Sequence, residues 1–343
     1  MTPNAALKPA IPLHSPEALE RQTALAPDFP QAVLGTDGAP LGFNRAPVRI
    51  APDETGLAAL DRAIDEARAG RVSSVVLLLP DAEADEADKA APNDEALFSA
   101  LPKACRERLS TFTHPNRRRQ SFSARLSALL LAARFMSAER EREAAYVYAE
   151  EPPYGPILMR RTASESTAAP ALWLTLAHAA GGAAASLSFA PMGIDLERPR
   201  PVKRLMSVAD FAFGADAAAI LARAAERLPS EAFTEVFFAL WGAKESEIKM
   251  NRTPQALVAH PRAKSSFEAL PDGRRAALVV RAPEGRRLSA YFYRSGTLLL
   301  SVLAPSEKSP PAEPAVFALT GTPAERSALF LRMLEEFRED QGT

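Results

Sequence analysis

"ALWLTLAHAAGGAAASLSFAPMGIDLE", residues 171–197, carries no Lys, Arg, Asp or Glu until Asp195. Its uncharged length raises a membrane-span reading. His178, the Gly181-Gly182 pair, Pro191 and several hydroxyls interrupt it, and such breakers fit short buried strands joined by turns better than one apolar helix. The expectation is a strand through "ALWLTLA", a turn at "HAAGG", a strand through "AAASLSF", a turn at Ala190-Pro191 and a last strand "MGIDLE". Side chains alternate along a strand, so Gly193, Asp195 and Glu197 share one face while Ile194 and Leu196 take the other. Two carboxylates then project from the same side of an otherwise apolar sheet.

Outward from this stretch, "RVSSVVLLLP" (71–80) reads as an earlier strand closed by Pro80, and the acidic "DAEADEADKAAPNDE" after it as a solvated loop. "CRERLSTFTHPNRRRQSFSARLSALLLAARFM" (105–136) predicts two helices broken near His114-Pro115, the second with a basic start and an apolar body. Downstream, "PSEAFTEVFFALWGAKESEIKMN" (229–251) is a strong helix capped by Ser230 and ended by Pro254. Residues 267–305 alternate around turn signals at Asp272-Gly273 and Ser295-Gly296, which predicts an antiparallel sheet. The organisation expected is an Ala/Pro-rich, largely disordered extension over 1–70, with "APDETGLAALDRAIDEARAGR" its one convincing helix. Two structured halves follow at 71–185 and 186–305, then a linker and C-terminal helix over 306–343.

Composition excludes several classes. Among 343 residues, 41 basic and 42 acidic side chains leave a net charge of -1, so the chain lacks the basic footprint of a nucleic-acid binder. The lone Cys105 cannot form an intrachain disulfide and suits a reducing compartment, as a passive, half-buried thiol. No secretory signal is visible in "MTPNAALKPAIPLHSPEALERQ", which points to a cytoplasmic protein without a membrane partner. There is no Gly-rich phosphate loop, no Cys/His metal spacing and no GxSxG elbow.

On the helix, Trp241, Glu245 and Lys249 recur at i, i+4 and i+8, so Trp241 packs inward while Glu245 and Lys249 share an edge of the buried face. Alone, Glu245 and Lys249 would be an ordinary surface pair worth about a few tenths of a kcal/mol. With Asp195 and Glu197 they become a different proposition. Three clustered carboxylates repel unless a cation neutralises them, and oxygen-only ligation points to Mg²⁺ with a phosphate-bearing substrate.

"GIDLE" followed by "WGAKESEIK" resembles the paired signature of the 4′-phosphopantetheinyl transferases, G-[IV]-D-[ILV]-E and W-x-x-K-E-[SA]-x-x-K, with every fixed position present. The resemblance covers roughly residues 75 to 305. It implies an α+β fold of two similar halves related by a pseudo-twofold, each a small antiparallel sheet packed with helices, as in the larger, monomeric, surfactin-synthetase-activating class. It implies transfer of the phosphopantetheine arm of coenzyme A to a serine of an acyl or peptidyl carrier protein, releasing 3′,5′-adenosine bisphosphate. Asp195, Glu197 and Glu245 would hold Mg²⁺ (or Mn²⁺), with Glu245 also the general base and Lys249 neutralising phosphate. His178, Arg125, Lys244 and Lys249 would bind the coenzyme, with Arg117, Arg118 and Arg119 as weaker candidates.

The chain departs from the pattern at two places. Ala177 and Ala179 flank His178 where serines are usual, and Gly155-Pro156 lacks the lysine of a Gly-Lys-Pro element, for which Arg160 or Arg161 would have to compensate. These losses motivate a rival reading, a catalytically silent relative that binds carrier domains or coenzyme A as a scaffold. A Mg²⁺-dependent phosphohydrolase is a third.

Overall fold

The computed structural model describes residues 45–81, 94–140, 146–151, 155–160, 170–202, 205–213, 218, 221–222, 224–226, 228–251, 266–269, 278–281, 286–305 and 312–341. In chain order the elements are β1 (Val48–Ile50), α1 (Glu54–Arg68), β2 (Val75–Pro80), α2 (Asp94–Ala100), α3 (Lys103–Ser110), α4 (Pro115–Arg140), β3 (Tyr146–Glu151), β4 (Gly155–Arg160), β5 (Pro170–Ala179), β6 (Gly182–Ser188), β7 (Gly193–Glu197), α5 (Leu205–Ala212), α6 (Ser230–Asn251), β8 (Ser266–Ala269), β9 (Leu278–Arg281), β10 (Arg287–Ser295), β11 (Leu298–Pro305), β12 (Ala315–Leu319) and α7 (Pro323–Gln341). Among the described residues no helix is long and apolar enough to cross a membrane.

The strands form two sheets, one of seven strands in the order β1-β12-β2-β6-β5-β4-β3 and one of five in the order β7-β11-β10-β9-β8. Both are apolar on two faces, and the period of two sorts the side chains between them. On β2, Val75, Leu77 and Leu79 face the helices, while Val76 and Leu78 face the second sheet. On β12, Phe317 and Leu319 likewise join the helix side, with Val316 and Ala318 turned to the other sheet. On β11, Leu299 and Leu303 pack toward α5 and α6, while Leu298, Leu300 and Val302 meet the first sheet. The result is four layers: α1, α2, α3, α4 and α7, the seven-stranded sheet, the five-stranded sheet, then α5 and α6.

A topological repeat lies inside this arrangement. In each sheet a first strand (β2 or β7) pairs antiparallel with the last of its set (β6 or β11), and the others follow backwards along the chain, β5-β4-β3 beside β10-β9-β8. Helices fill the crossover from first to second strand in both, ending on the long α4 in one and on α6 in the other.

Four expectations change. Residues 1–70 do not lie wholly outside the packed structure: β1 pairs with β12, and α1, capped where the Asp53 carboxylate accepts from the Gly56 N–H at 2.9 Å, buries Leu57, Leu60 and Ile64. The segment read as linker and tail inserts β12 parallel between β1 and β2 and packs Leu329, Phe330, Met333, Leu334 and Phe337 of α7 into the first core. The first sheet is therefore mixed, not small and antiparallel, because two strands from distant parts of the chain run alongside β2 in its own direction. Cys105 is fully buried and not half-buried; its Sγ lies 3.4 Å from the Tyr148 hydroxyl, and burial, then Glu150, pushes the thiol up to about 12.

Truncation after residue 311 tests the insertion of β12. Removing β12 and α7 takes away the strand paired with β1 and one of the two paired with β2, together with Phe317, Leu319 and five large apolar side chains of α7, so the cooperative urea transition should disappear. An unchanged transition would show that the tail is dispensable.

Candidate functional site

The carboxylate strand and the helix meet at two glycines. A Cβ on Gly193 would collide with the backbone carbonyl of Ser246, and one on Gly242 would collide with the Ser301 hydroxyl and stand 3.6 Å from Asp195 Oδ2. Only the absence of these side chains allows α6 to lie directly across β7 and β11. Ser301 pairs in register with Asp195, so helix, strand and neighbouring strand converge at one point.

Alternation places the acids as expected. Ile194 and Leu196 enter the core between the sheets, and Asp195 turns to the helix side, where it is 7% exposed. Its Oδ1 accepts from Lys249 Nζ at 2.7 Å, while Oδ2 is buried without a hydrogen-bond partner. An orphaned buried carboxylate oxygen is costly and marks a place where a further positive partner would be welcome.

The three carboxylates feel one another. Burial raises Asp195, against the opposing charge of Lys249. Burial, then Asp195, lifts Glu197 from its ordinary 4.5 to about 7, with Glu245 adding to the rise. Glu245 is raised by burial and then by Asp195, while Lys249 and Lys244 pull it back. His178, on β5 of the first sheet, is lowered to about 4 by burial, then by Lys249 and Arg117, and so is neutral at physiological pH. A neutral imidazole is a hydrogen-bonding group here and not a cation. The acids and Lys249 come from one sheet unit, His178 and Arg117 from the other.

Not every predicted residue converges. Arg125 is 3% exposed and bound bidentately to Glu150, Nε–Oε1 2.8 Å and Nη2–Oε2 2.9 Å, with Nη1 donating to Ser121 Oγ at 2.5 Å. It is a structural cation of the first core whose field still reaches His178. Lys244 Nζ stands 5.9 Å from the Phe213 ring centroid, in the aromatic group where Trp241 stacks on Phe237 at 6.1 Å. It thus packs on the side of Trp241. The arginine run is split: Arg117 acts on His178, whereas Arg118 lies over Phe98 at 4.9 Å. The Arg160 side chain and Arg161 lie outside the described residues.

Among the described residues no group of three or more His, Cys, Asp or Glu side chains is placed to hold a metal ion, and the positive charge beside Asp195 comes from Lys249. The donor chemistry nevertheless fits a hard divalent cation, since Asp195 Oδ2 lacks a partner and Glu197 and Glu245 resist ionising beside it. Ser301 and the glycine at 242 were not legible as parts of the site, because the pairing of β11 with β7 is a long-range contact without a local signature. Compared with protein-family models and with curated proteins, the chain matches none.

Gly193→Ala should cost about 1–3 kcal/mol or more, as overpacking against backbone does, and a urea midpoint no lower than wild type would refute the close approach. Glu197→Gln tests the charge cluster through its sign. A folded-state value raised from 4.5 to about 7 means the native protein favours the protonated form, so wild type loses stability as pH rises across that window. Without added metal, the Gln variant should melt above wild type at about pH 8 and close to it at about pH 5, because only the wild type then carries the charge. Equal melting at the higher pH would mean that neither burial nor the neighbouring carboxylates disfavour the charged form of Glu197.

Proposed function

We propose that this chain transfers the 4′-phosphopantetheine arm of coenzyme A to a serine of an acyl or peptidyl carrier protein. The observation that carries the reading is the Asp195 carboxylate, buried beneath α6 with one oxygen on Lys249 and the other without a partner, between two further acids that resist ionisation. The repeat of strand order, β2-β6-β5-β4-β3 and β7-β11-β10-β9-β8, supports the two-halved transferase architecture, with the site at their junction.

In this reading Asp195, Glu197 and Glu245 hold Mg²⁺, which when bound offsets the charge of a pyrophosphate. The serine oxygen bonds to the β-phosphorus of coenzyme A as the bond from that phosphorus to the bridging oxygen breaks. The serine proton goes to Glu245 as general base. 3′,5′-adenosine bisphosphate leaves with the bridging oxygen and its electron pair. Lys249, whose Nζ lies beside Asp195, would neutralise the phosphates, and Arg117 would add charge from the other half. Neutral His178 donates a hydrogen bond to a phosphate oxygen. Arg125 acts by holding α4 and not by touching the coenzyme.

One set of observations favours a second reading, a silent relative that binds without turnover: Arg125 is committed to Glu150, and Ala177 and Ala179 flank His178. The mass of an apo carrier protein incubated with coenzyme A, Mg²⁺ and the full chain separates the two. Transfer predicts a phosphopantetheine-sized gain, abolished by chelator and slowed roughly 10²–10⁴-fold by Glu245→Gln. Coenzyme binding without any gain, across fatty-acid and peptidyl carriers, would establish the silent form.

A further inference from the structure

A second concavity lies away from the carboxylates, among α2, α3 and the first turns of α4. It encloses about 550 Å³ and is lined by Phe98, Leu109, Phe112 and Phe122, with Glu95, Thr113, Pro115, Arg118 and Arg119 around the opening. That volume lies within the range of small-molecule sites, which are mostly apolar with a few polar groups at fixed places.

The polar groups are biased in sign. Arg118 and Arg119 oppose the single carboxylate of Glu95, and a third guanidinium, Arg108, lies 5.2 Å over Phe112 on the neighbouring helix. Arg118 is held over the face of Phe98 at 4.9 Å, which restrains a guanidinium at the mouth while leaving it exposed. Phe98 and Phe122, with centroids 6.5 Å apart and planes at 45°, are tilted against one another and not stacked. An aromatic ring packed beside this pair on the cavity side meets ring edges and faces in the offset geometries they favour.

The geometry points to a binding site for a small aromatic anion: a planar apolar body against Phe98, Phe112 and Phe122, with a carboxylate, sulfonate or phosphate head on Arg118 and Arg119. The apolar lining excludes a bare inorganic anion as the best ligand, and the two arginines exclude an organic cation. The site is separate from the carboxylate cluster, whose residues take no part in its lining. It does not depend on the transferase reading.

The test is a fluorescence titration of the folded full chain with anilinonaphthalene sulfonate, an aromatic anion that brightens on leaving water. Saturable binding of one probe per chain is expected. Arg118→Gln combined with Arg119→Gln should weaken it roughly tenfold, as loss of charge-assisted contacts does. These two residues are exposed, so an unchanged melting curve will certify the fold. Phe98→Leu should weaken binding as well, and naphthalene sulfonate should compete where methanesulfonate does not. Glu197→Gln should leave the titration unchanged. An unsaturable signal, equal affinity in the arginine variant, or loss of binding in Glu197→Gln would each overturn the assignment. Saturation at one probe per two chains would place the probe between copies and overturn it too.

Discussion

The close approach of α6 to β7 is the contact on which the rest of the candidate site depends. Gly193 and Gly242 remove the two side chains that would hold helix and strand apart, so Asp195 is sealed under the helix and Lys249 is drawn onto it. Burial then governs the electrostatics. A carboxylate in water would ionise without regard to its neighbours, whereas beneath α6 each acid raises the next, and the cluster becomes a place where positive charge is stabilising. The same closeness sets Glu245 one turn before Lys249 on the helix edge that looks toward Glu197.

Behind the site stands a packing arrangement that neither sheet could achieve alone. Val76, Leu78 and Ala177 of the first sheet interlock with Ile194, Leu196, Leu300 and Val302 of the second, so both sheets are covered on two sides and the strands carry nearly continuous apolar sequence. His178 lies on the other face of β5 from Ala177 and Ala179, the face that sends Leu174 and Leu176 into the first core, and burial, then the charges of Lys249 and Arg117, keeps it neutral. β2, the topological equivalent of β7, carries no counterpart of the two acids, being aliphatic on both faces and sending its side chains into two cores.

The first core holds a polar chain of its own. Arg125, Glu150, Tyr148 and Cys105 form a buried network linking α3, α4 and β3. Its full pairing explains why a buried arginine and glutamate are tolerated, and why removing one partner alone would be costly.

What the sequence determined by itself was local. The period of two on "MGIDLE" placed Asp195 and Glu197 on one face with Ile194 and Leu196 opposite, and the period of 3.6 placed Glu245 and Lys249 on one edge, because both follow from backbone geometry within a few residues. The break at His114-Pro115 and the strand ending at Pro80 were legible for the same reason. Tertiary structure decided what depends on distant partners. Arg125 and Glu150 are 25 residues apart, and the ion pair that holds a residue read as a coenzyme ligand leaves no local pattern. β12 joins β1 across most of the chain, and the repeat of strand order appears only once the sheets are assembled. Backbone periodicity is written residue by residue, whereas the choice of partner is made by the free energy of the whole packed chain.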